Sequence, residues 1–531
     1  MTSVPRLLLI ALDSADADLI ERWGAAGDLP NLWALRTQGT WGRLGTTADV
    51  MHVSAWPTLY TGATPGHHGM YHAYQVRPHE QGVHRTRPAD CALPPFWKHL
   101  DDAGRRCIIF DAFMSYPLSG FRGIQLLEYG TWTWFGEPAA TPRRMRSALR
   151  RAVGPYPGPE HMHVLEMPDA RVFRDRLVAG ARVKADAVRW LLREHPCDMM
   201  FVTFGEPHGA GHFLWHTGDP SHPASCDYDI AHAPDALHDV YVAVDQALGA
   251  VLEAVGDDTT VAVLSGDGMG PNYSACHHVP ELLRRAGWLV DGASHAAGAA
   301  SEGATRKTGL LSRVRQAIPL GVRQSVTRCL PRSVHYRMSM QWVNAGIDWE
   351  RTRAFCIPNA NEAYIRLNLR GREPAGVVLP GDEATQMIAE LQRELTALVN
   401  PDNARRAAER VVRTDDVYPG AQRDRLPDIV ATWNPDAEVL ARIDSPAWGT
   451  VDGTPGYRTG PYYTGNHRPN AFVVARGPGI AEGAELAGRH IMDIAPTVLA
   501  MLGVDAPSHY EGSPIPELTA REARAVTRPT G

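Results

Sequence analysis

The chain has 531 residues, of which 44% are hydrophobic and 21% are charged. This composition predicts a globular protein that is too long for one ordinary core, so we expect two or more structural units or one large domain with insertions. The formal net charge of −6 is small for this length and gives no support to a nucleic-acid-binding function.

The N-terminal segment and the cysteines predict a cytoplasmic protein without a membrane anchor. The segment MTSVPRLLLIALDS has only the short apolar run LLLIAL before Asp13. A signal peptide needs a longer run, and a membrane span needs about 20 apolar residues. The seven cysteines are scattered and form no CxxC pair, which favours a reducing compartment and argues against a disulfide framework or a thiolate zinc site.

Apolar runs that alternate with helical patterns predict the fold. RLLLIALD (residues 6–13) is typical of a buried parallel strand with Asp13 at its carboxyl end. Similar runs cover residues 105–113, 198–206, 259–267 and 470–478. Between them, segments such as 236–255 carry apolar residues at three- and four-residue spacing. The pattern predicts an α/β fold with a mostly parallel central sheet and helices on both faces.

Residues 291–348 differ from the rest of the chain. They begin rich in Gly, Ala and Ser, and between 301 and 340 they contain many Lys and Arg but a single acid, Glu302. We interpret this segment as an insertion that partly forms helices, within a catalytic domain made of residues 1–290 and 349–531. Three roles fit it: a lid that attracts an anionic substrate, a contact in a homo-oligomer, or a solvated helical excursion.

Six polar residues in separate stretches have the chemistry of a metal site. They are Asp13, His52 in VMHVSAW, His208 and His212 in FGEPHGAGHFLWH, Asp267 in LSGDGMGPN, and His467 in YTGNHRPN. His208 and His212 are four residues apart, which on a helix places both imidazoles on one face, as a metal pair requires. Asp13 and Asp267 end two predicted strands, and the carboxyl ends of parallel strands are where such sheets bind ligands.

The order of these motifs resembles the alkaline phosphatase superfamily, and most of all its type I phosphodiesterase/nucleotide pyrophosphatase-like branch, also labelled phosphohydrolase/phosphomutase. AWPTLYTGATPGHHGMY resembles the helix that carries the nucleophile, GEPHGAGHFLW the D-x-x-x-H metal motif, LSGDGMGPN the S-D-H-G-M motif, and TGNHRPN the segment of the late metal histidine. The resemblance covers nearly the whole chain. It implies an alkaline phosphatase-like α/β fold and a metal-dependent hydrolase with two divalent ions, usually zinc.

The chain departs from the family pattern at the site itself. The Asp of D-x-x-x-H is here His208, and the Asp-His of S-D-H-G-M is here Gly266-Asp267. Counted back from the TG pair, His52 lies at the position of the Thr or Ser nucleophile. Matched residue by residue, the resemblance implies a first metal site of His208, His212 and His467, and a second of Asp13, His52 and Asp267.

His52 has three competing roles. As a metal ligand it would complete the second site, and hydrolysis would then depend on a metal-activated water. As a covalent nucleophile its neutral imidazole would form a phosphohistidine, with one nitrogen aimed at phosphorus and the other held by an acceptor. As a structural residue it would leave the attack to Ser54, Thr47 or water. A nitrogen that binds a metal has no lone pair left, so the first two roles exclude each other at one nitrogen.

The predicted activity is metal-dependent hydrolysis of a small anionic substrate: a phosphoester, a phosphodiester or a related phosphonate or sulfate ester. Zinc is the expected metal, and iron or manganese also suit imidazole ligands. A dinuclear-iron oxidase or oxygenase on the same scaffold is the alternative, and a non-catalytic metal-binding protein is a third. We expect no nucleic-acid or membrane partner. Secondary candidates, which would orient ligands or contact substrate, are Glu206, Ser54, His216, His277 and His278.

Overall fold

The computed structural model describes residues 6–130, 138–158, 167–228, 231–292, 344, 346–458 and 462–519. The insertion predicted at 291–348 falls almost entirely outside these residues, so its boundaries and its role as lid or oligomer contact stay predictions. Among the described helices, none combines the length and the hydropathy of a membrane span.

The described strands and helices follow in chain order. The strands are β1 (Leu7–Leu12), β2 (Thr40–Gly45), β3 (Tyr74–Arg77), β4 (Glu80–Arg85), β5 (Cys107–Phe110), β6 (Ile124–Leu127), β7 (Ala139–Thr141), β8 (Met199–Phe204), β9 (Thr260–Ser265), β10 (Gly268–Pro271), β11 (Ala354–Ile357), β12 (Ala363–Leu367), β13 (Ala408–Arg413), β14 (Ile429–Trp433), β15 (Arg442–Ser445), β16 (Gly449–Asp452), β17 (Gly465–Arg468), β18 (Ala471–Arg476) and β19 (Ala484–His490). The helices are α1 (Ala17–Ala26), α2 (Pro30–Gln38), α3 (Ala55–Thr61), α4 (Pro65–His68), α5 (Phe96–Asp102), α6 (Arg144–Val153), α7 (Ala170–Glu194), α8 (Glu206–Gly218), α9 (Ala224–Asp227), α10 (Ala236–Leu252), α11 (Val279–Arg285), α12 (Asp382–Thr396), α13 (Thr414–Val417), α14 (Ile494–Met501) and α15 (Pro516–Thr519).

The largest sheet has nine strands in the order β19-β2-β18-β9-β1-β8-β5-β6-β7. Strand β1 is completely buried and pairs in parallel with β8 and β9, so that Leu7 lies opposite Met199 on one side and Thr260 on the other. The parallel arrangement continues through β5 and β6. The predicted α/β fold with a mostly parallel central sheet is therefore confirmed. The predicted strand at 470–478 is β18, which is antiparallel to both of its neighbours.

Helices α7, α8 and α10 pack against one another. Helix α10 begins at Ala236, as the apolar spacing of residues 236–255 predicts. Its Asp245 carboxylate accepts hydrogen bonds from the backbone N–H groups of Asn31 (3.2 Å) and Leu32 (2.8 Å) at the start of α2. The first N–H groups of a helix have no partner within the helix, so this carboxylate caps α2 and joins it to α10.

A second sheet lies apart from the first and has its own hydrophobic core. Its four strands are antiparallel, in the order β11-β12-β14-β13, and α12 contacts β13 and β14. Only one central sheet was predicted from the sequence, so this sheet is an addition to the prediction. It matters for function because the residues just before β12, among them Glu362, reach the carboxyl edge of the large sheet.

A buried ion pair ties α7 to the large sheet. Lys184 of α7 is fully buried, and its Nζ donates to Asp111 Oδ2 (2.6 Å) and to the carbonyl oxygen of Thr203 (2.8 Å). Removing one partner of such a pair leaves a buried charge unpaired, which costs about 3–5 kcal/mol. Lys184→Met should lower the free energy of unfolding in urea by that amount. The matched control, Arg189→Met, removes an exposed cation of the same helix and should change it by less than about 0.5 kcal/mol. Equal changes in the free energy of unfolding for the two variants would show that the buried Lys184–Asp111 pair does not stabilise the fold more than an exposed cation does.

Candidate metal and catalytic site

The site lies where β1, β8 and β9 end, at the carboxyl edge of the large sheet. Asp13 follows β1 directly, and helix α8, which carries His208 and His212, begins two residues after β8. Asp267 lies between β9 and β10, and β10 pairs with β17, which carries His467. Parallel strands bring their carboxyl ends to one edge of a sheet, so residues from distant parts of the sequence meet here.

Three imidazoles form the centre of the site. One ring nitrogen from each of His208, His212 and His467 lies within 4.8 Å of the others. The ring centroids are 4.8 Å apart for His208–His212 and 4.9 Å apart for each of the other two pairs. Two imidazoles bound at a tetrahedral angle, with metal–nitrogen bonds of about 2.0–2.1 Å, have centroids about 5 Å apart. The ring spacing of the cluster is therefore compatible with three ligands of one tetrahedral metal ion.

Each of these imidazoles is anchored at Nδ1. The acceptors are Asp13 Oδ2 for His208 (2.8 Å), the carbonyl oxygen of Gly465 for His212 (2.9 Å) and Asp267 Oδ2 for His467 (2.7 Å). A carbonyl oxygen can only accept, so Nδ1 of His212 is the protonated nitrogen and Nε2 is its basic one. Metal-bound histidines usually donate their second N–H to a carboxylate or carbonyl in this way, which fixes the tautomer and the ring orientation.

Burial keeps the imidazole of His467 neutral. Desolvation, together with the neighbouring imidazoles of His52 and His212, lowers the pKa of His467 well below its ordinary value. Burial and the charge of Asp13 raise the pKa of Asp267 well above its ordinary value. Neutral imidazole is the form that binds a metal, and a divalent cation would offset the crowding of the buried carboxylates.

His52 belongs to a second, adjoining pair. It lies in a short 3₁₀ turn just before α3, and its Nδ1 is 2.8 Å from Glu362 Oε2 and 3.0 Å from Oε1. The backbone N–H of His52 also donates to Glu362 Oε1 (3.0 Å). The side-chain amides of Asn359 and Asn361 donate to the same carboxylate. Glu362 thus fixes both the backbone and the ring of His52.

Glu362 is an ionised carboxylate although it is buried. Burial alone favours the protonated acid, but the electrostatic interaction with the imidazole of His52 and the hydrogen bonds from His52 and Asn359 bring the pKa of Glu362 below its ordinary value. The sequence analysis did not identify this residue. The one available signal was an acid placed directly before the apolar run of β12, and nothing local connects it to His52, which lies 310 residues earlier.

His52 lies face to face with His467. Their ring centroids are 4.2 Å apart and their planes differ by 25°. An imidazole binds a metal through a lone pair in the plane of the ring, and two nearly parallel stacked planes do not meet at a nearby point. This geometry favours a position for His52 beside the three-histidine cluster. The stacking disfavours one ion bound by both His52 and His467, and the predicted ligand role of His52 in the second site stays a prediction.

Two of the secondary candidates make contacts that fix them locally. Ser54 Oγ donates to the carbonyl of Met51 (2.6 Å) and lies 2.8 Å from Thr47 Oγ1, whose hydroxyl can donate to it. Glu206 is fully buried and accepts a hydrogen bond from the hydroxyl of Tyr156 (2.8 Å). Burial raises the pKa of Glu206. These contacts fit supporting roles better than direct ones.

The remaining candidates are His216 and the adjacent pair His277 and His278. His216 contacts Thr464 Oγ1 (3.1 Å), and the backbone N–H of Thr464 donates to the carbonyl of His212 (2.7 Å). His216 therefore supports the segment that anchors the cluster. The ring centroids of His277 and His278 are 3.9 Å apart with planes tilted by 42°, and His278 Nε2 lies 3.4 Å from the carbonyl of Leu440. These contacts do not involve the three-histidine cluster.

A cavity of about 560 Å³ opens onto the site. Its walls include His467 and Glu362 together with Arg410 and Arg468. Each arginine already has a carboxylate partner in a salt bridge. The cavity has the size of a small-molecule site and is lined by His467 of the three-histidine cluster and by Glu362, the carboxylate that holds His52.

Comparisons with known proteins agree with the resemblance seen in the sequence. The family model described as type I phosphodiesterase / nucleotide pyrophosphatase matches residues 7–458. Among solved structures, the chain is similar to phosphonoacetate hydrolase from Sinorhizobium meliloti 1021 in complex with phosphonoformate, with 14% identity and a TM-score of 0.48 over 92% of this chain and 94% of that one. It is also similar to murine ectonucleotide pyrophosphatase / phosphodiesterase 5, with 14% identity and a TM-score of 0.47 over 96% and 97% of the two chains. No curated protein matches the chain.

Proposed function

The chain belongs to the type I phosphodiesterase / nucleotide pyrophosphatase family, and from this membership we propose that it hydrolyses a phosphoester, a phosphodiester or a related anionic ester in a metal-dependent reaction. The observation that carries the proposal is the cluster of His208, His212 and His467, whose ring spacing suits a tetrahedral ion. The family supports phosphoester hydrolysis, and the cluster supports the metal.

The donor set fits a divalent metal. Three imidazoles with anchored Nδ1 atoms offer three nitrogen ligands and leave a fourth position open, which is the arrangement of catalytic zinc sites. Zinc is the metal we propose, and iron and manganese also accept imidazole ligands. When bound, the ion would polarise a phosphoryl oxygen and make a bound water more acidic. The family pattern also implies a second ion, on Asp13, His52 and Asp267.

His52 is the residue that we propose to be catalytic. With its Nδ1–H donated to Glu362, the basic lone pair is on Nε2. That nitrogen can attack phosphorus, so that an N–P bond forms while the ester O–P bond breaks, or it can take a proton from the attacking water. Glu362 is a positioning residue, because it holds the tautomer and the direction of the ring through Nδ1.

The cavity beside the cluster supports a small substrate. Its volume of about 560 Å³ accommodates one phosphoryl group and a modest organic group, and its two arginines are held in salt bridges. We propose a small anionic ester as substrate and no nucleic-acid polymer.

Hydrolysis of chromogenic esters tests the function. Purified protein should be assayed with p-nitrophenyl phosphate, bis-p-nitrophenyl phosphate, p-nitrophenyl sulfate and a p-nitrophenyl phosphonate, after reconstitution with zinc, manganese or iron(II). We expect turnover of at least one ester. Prior treatment with a chelator should lower this rate by about a thousandfold, and the metal should restore it, because the ion contributes several kcal/mol to the transition state. No turnover with any metal would contradict the proposal, and oxygen consumption by an iron-loaded, coloured protein would point to the oxidoreductase alternative.

A further inference from the structure

The turn that follows β1 holds a serine in a backbone conformation that serine seldom adopts. Ser14 has a φ of 52°, in the left-handed region, and its side chain is fully buried. The turn is closed by a hydrogen bond from the backbone N–H of Ala15 to the carbonyl of Leu12 (3.2 Å). Glycine is favoured at a left-handed turn position, because a Cβ atom there is close to the following carbonyl oxygen. Serine therefore strains the backbone here, and such strain clusters where a side chain has a function.

The hydroxyl of Ser14 contacts three side chains of the candidate site. Its Oγ lies 3.4 Å from Asp13 Oδ1 and 3.3 Å from Nδ1 of His467. The same Nδ1 of His467 lies 2.7 Å from Asp267 Oδ2. Burial and the charge of Asp13 raise the pKa of Asp267, and a hydrogen bond from Ser14 opposes that rise. The hydroxyl thus contacts both carboxylates that the family pattern assigns to the second ion.

Both carboxylates have an oxygen that suits a cation. Asp267 Oδ1 is buried and has no hydrogen-bond partner among the residues that the structure describes, and the hydrogen bond at Asp13 Oδ1 is long (3.4 Å). The other oxygen of each carboxylate, Oδ2, is held by Nδ1 of a histidine. Buried polar atoms normally have a partner, and a divalent ion would supply one here. A carboxylate held at one oxygen can still turn, so the contact with Ser14 restricts the freedom that remains.

We propose that Ser14 is a positioning residue of the metal centre. Its hydroxyl fixes the carboxylates of Asp13 and Asp267 in the direction in which they bind metal and orient His208 and His467. The inference rests on the proposed metal-dependent function for the presence of the metal. A glycine would fit the turn without strain, but it would leave the two carboxylates less well held, and the affinity for metal would fall.

Two substitutions separate the hydroxyl from the backbone strain. Ser14→Ala removes the hydroxyl and keeps the strain, whereas Ser14→Gly removes both. The full-length protein, treated with a chelator, should be titrated with Co²⁺ by calorimetry and visible absorption. We expect both variants to bind Co²⁺ about 10–100-fold more weakly than wild type, as for other residues that orient metal ligands, and with an altered visible spectrum. Without metal, Ser14→Gly should nevertheless melt about 1–2 °C above Ser14→Ala, because glycine relieves the strain.

Ala404→Gly is the matched control for backbone strain. Ala404 has a φ of 58° and is exposed between α12 and β13, so glycine relieves the same kind of strain away from the site. This variant should melt above wild type by a similar amount and keep the wild-type affinity for Co²⁺.

The outcomes separate this inference from the proposed function. Wild-type affinity for Co²⁺ in both Ser14 variants would overturn the inference and leave the hydrolase proposal intact. Weak binding in Ser14→Ala alone would also overturn it, because the loss would then follow the strain and not the hydroxyl. Failure of the wild-type protein to bind Co²⁺ would contradict both proposals.

Discussion

Replacing His212 with alanine should abolish tight metal binding and lower kcat/KM by about a thousandfold, which corresponds to about 4 kcal/mol of transition-state stabilisation. His212 contributes one of the three nitrogens of the cluster, is held at Nδ1 by the carbonyl of Gly465, and stacks on Tyr463 with centroids 3.7 Å apart. Two imidazoles cannot retain the ion in the tetrahedral site, so the chemistry that depends on it is lost. Metal content and kcat/KM, measured on the same preparation, check this result.

His216→Ala is the matched control for that variant. His216 lies one turn further along α8, is as buried as His212, and contacts Thr464 rather than the cluster. Removing a buried imidazole should therefore lower the free energy of unfolding by a similar amount in the two variants, whereas only His212→Ala should lose the metal. Equal metal loss in both would mean that the helix as a whole, and not the nitrogen of His212, had been disturbed.

Replacing His52 with alanine should lower kcat by about 10²–10⁴-fold, the range for loss of a general base, while the metal stays bound. The reason is that His52 is held by Glu362 beside the ion, with Nε2 as its basic nitrogen. Glu362→Gln should give a smaller loss of kcat at a nearly unchanged KM, because the imidazole would remain but its tautomer and direction would be less well fixed. Steady-state kinetics and metal analysis of both variants check this. Loss of the metal in His52→Ala would instead return His52 to the ligand role.

The same variant distinguishes the two catalytic roles of His52. A covalent mechanism leaves a phosphohistidine, which survives in alkali and is lost in acid. An alkaline quench during turnover of a ³²P-labelled ester should therefore trap label on the wild-type chain and none on His52→Ala if Nε2 attacks phosphorus. Rapid turnover without any trapped label would favour activation of water by His52.

Much of the fold could be predicted from the sequence because its strands are long apolar runs. The run of β1 is buried on both faces, so it lacks the alternation of an exposed strand, and its boundaries in the structure agree with the prediction. The pair His208 and His212 could be predicted from helical spacing, and the structure does bring both to His467. Local periodicity was enough for these features.

The rest of the site depends on contacts that no local pattern contains. Glu362 reaches His52 from a second sheet, across 310 residues of sequence, and the short strands of that sheet gave too weak a pattern to be recognised. The sequence motifs identified Asp13 and Asp267 as candidates, but they could not give the direction in which the two carboxylates point. That direction, toward Nδ1 of His208 and His467, is given only by the structure. The predicted insertion at 291–348, the homo-oligomer contact and the cytoplasmic location stay predictions.

The most direct measurement is an anomalous-difference map from crystals grown with Zn²⁺, recorded on both sides of the zinc absorption edge. We expect a strong peak within about 2.0–2.1 Å of a nitrogen of each of His208, His212 and His467. A map without a peak among these three rings, with the imidazoles turned apart and only water between them, would contradict it.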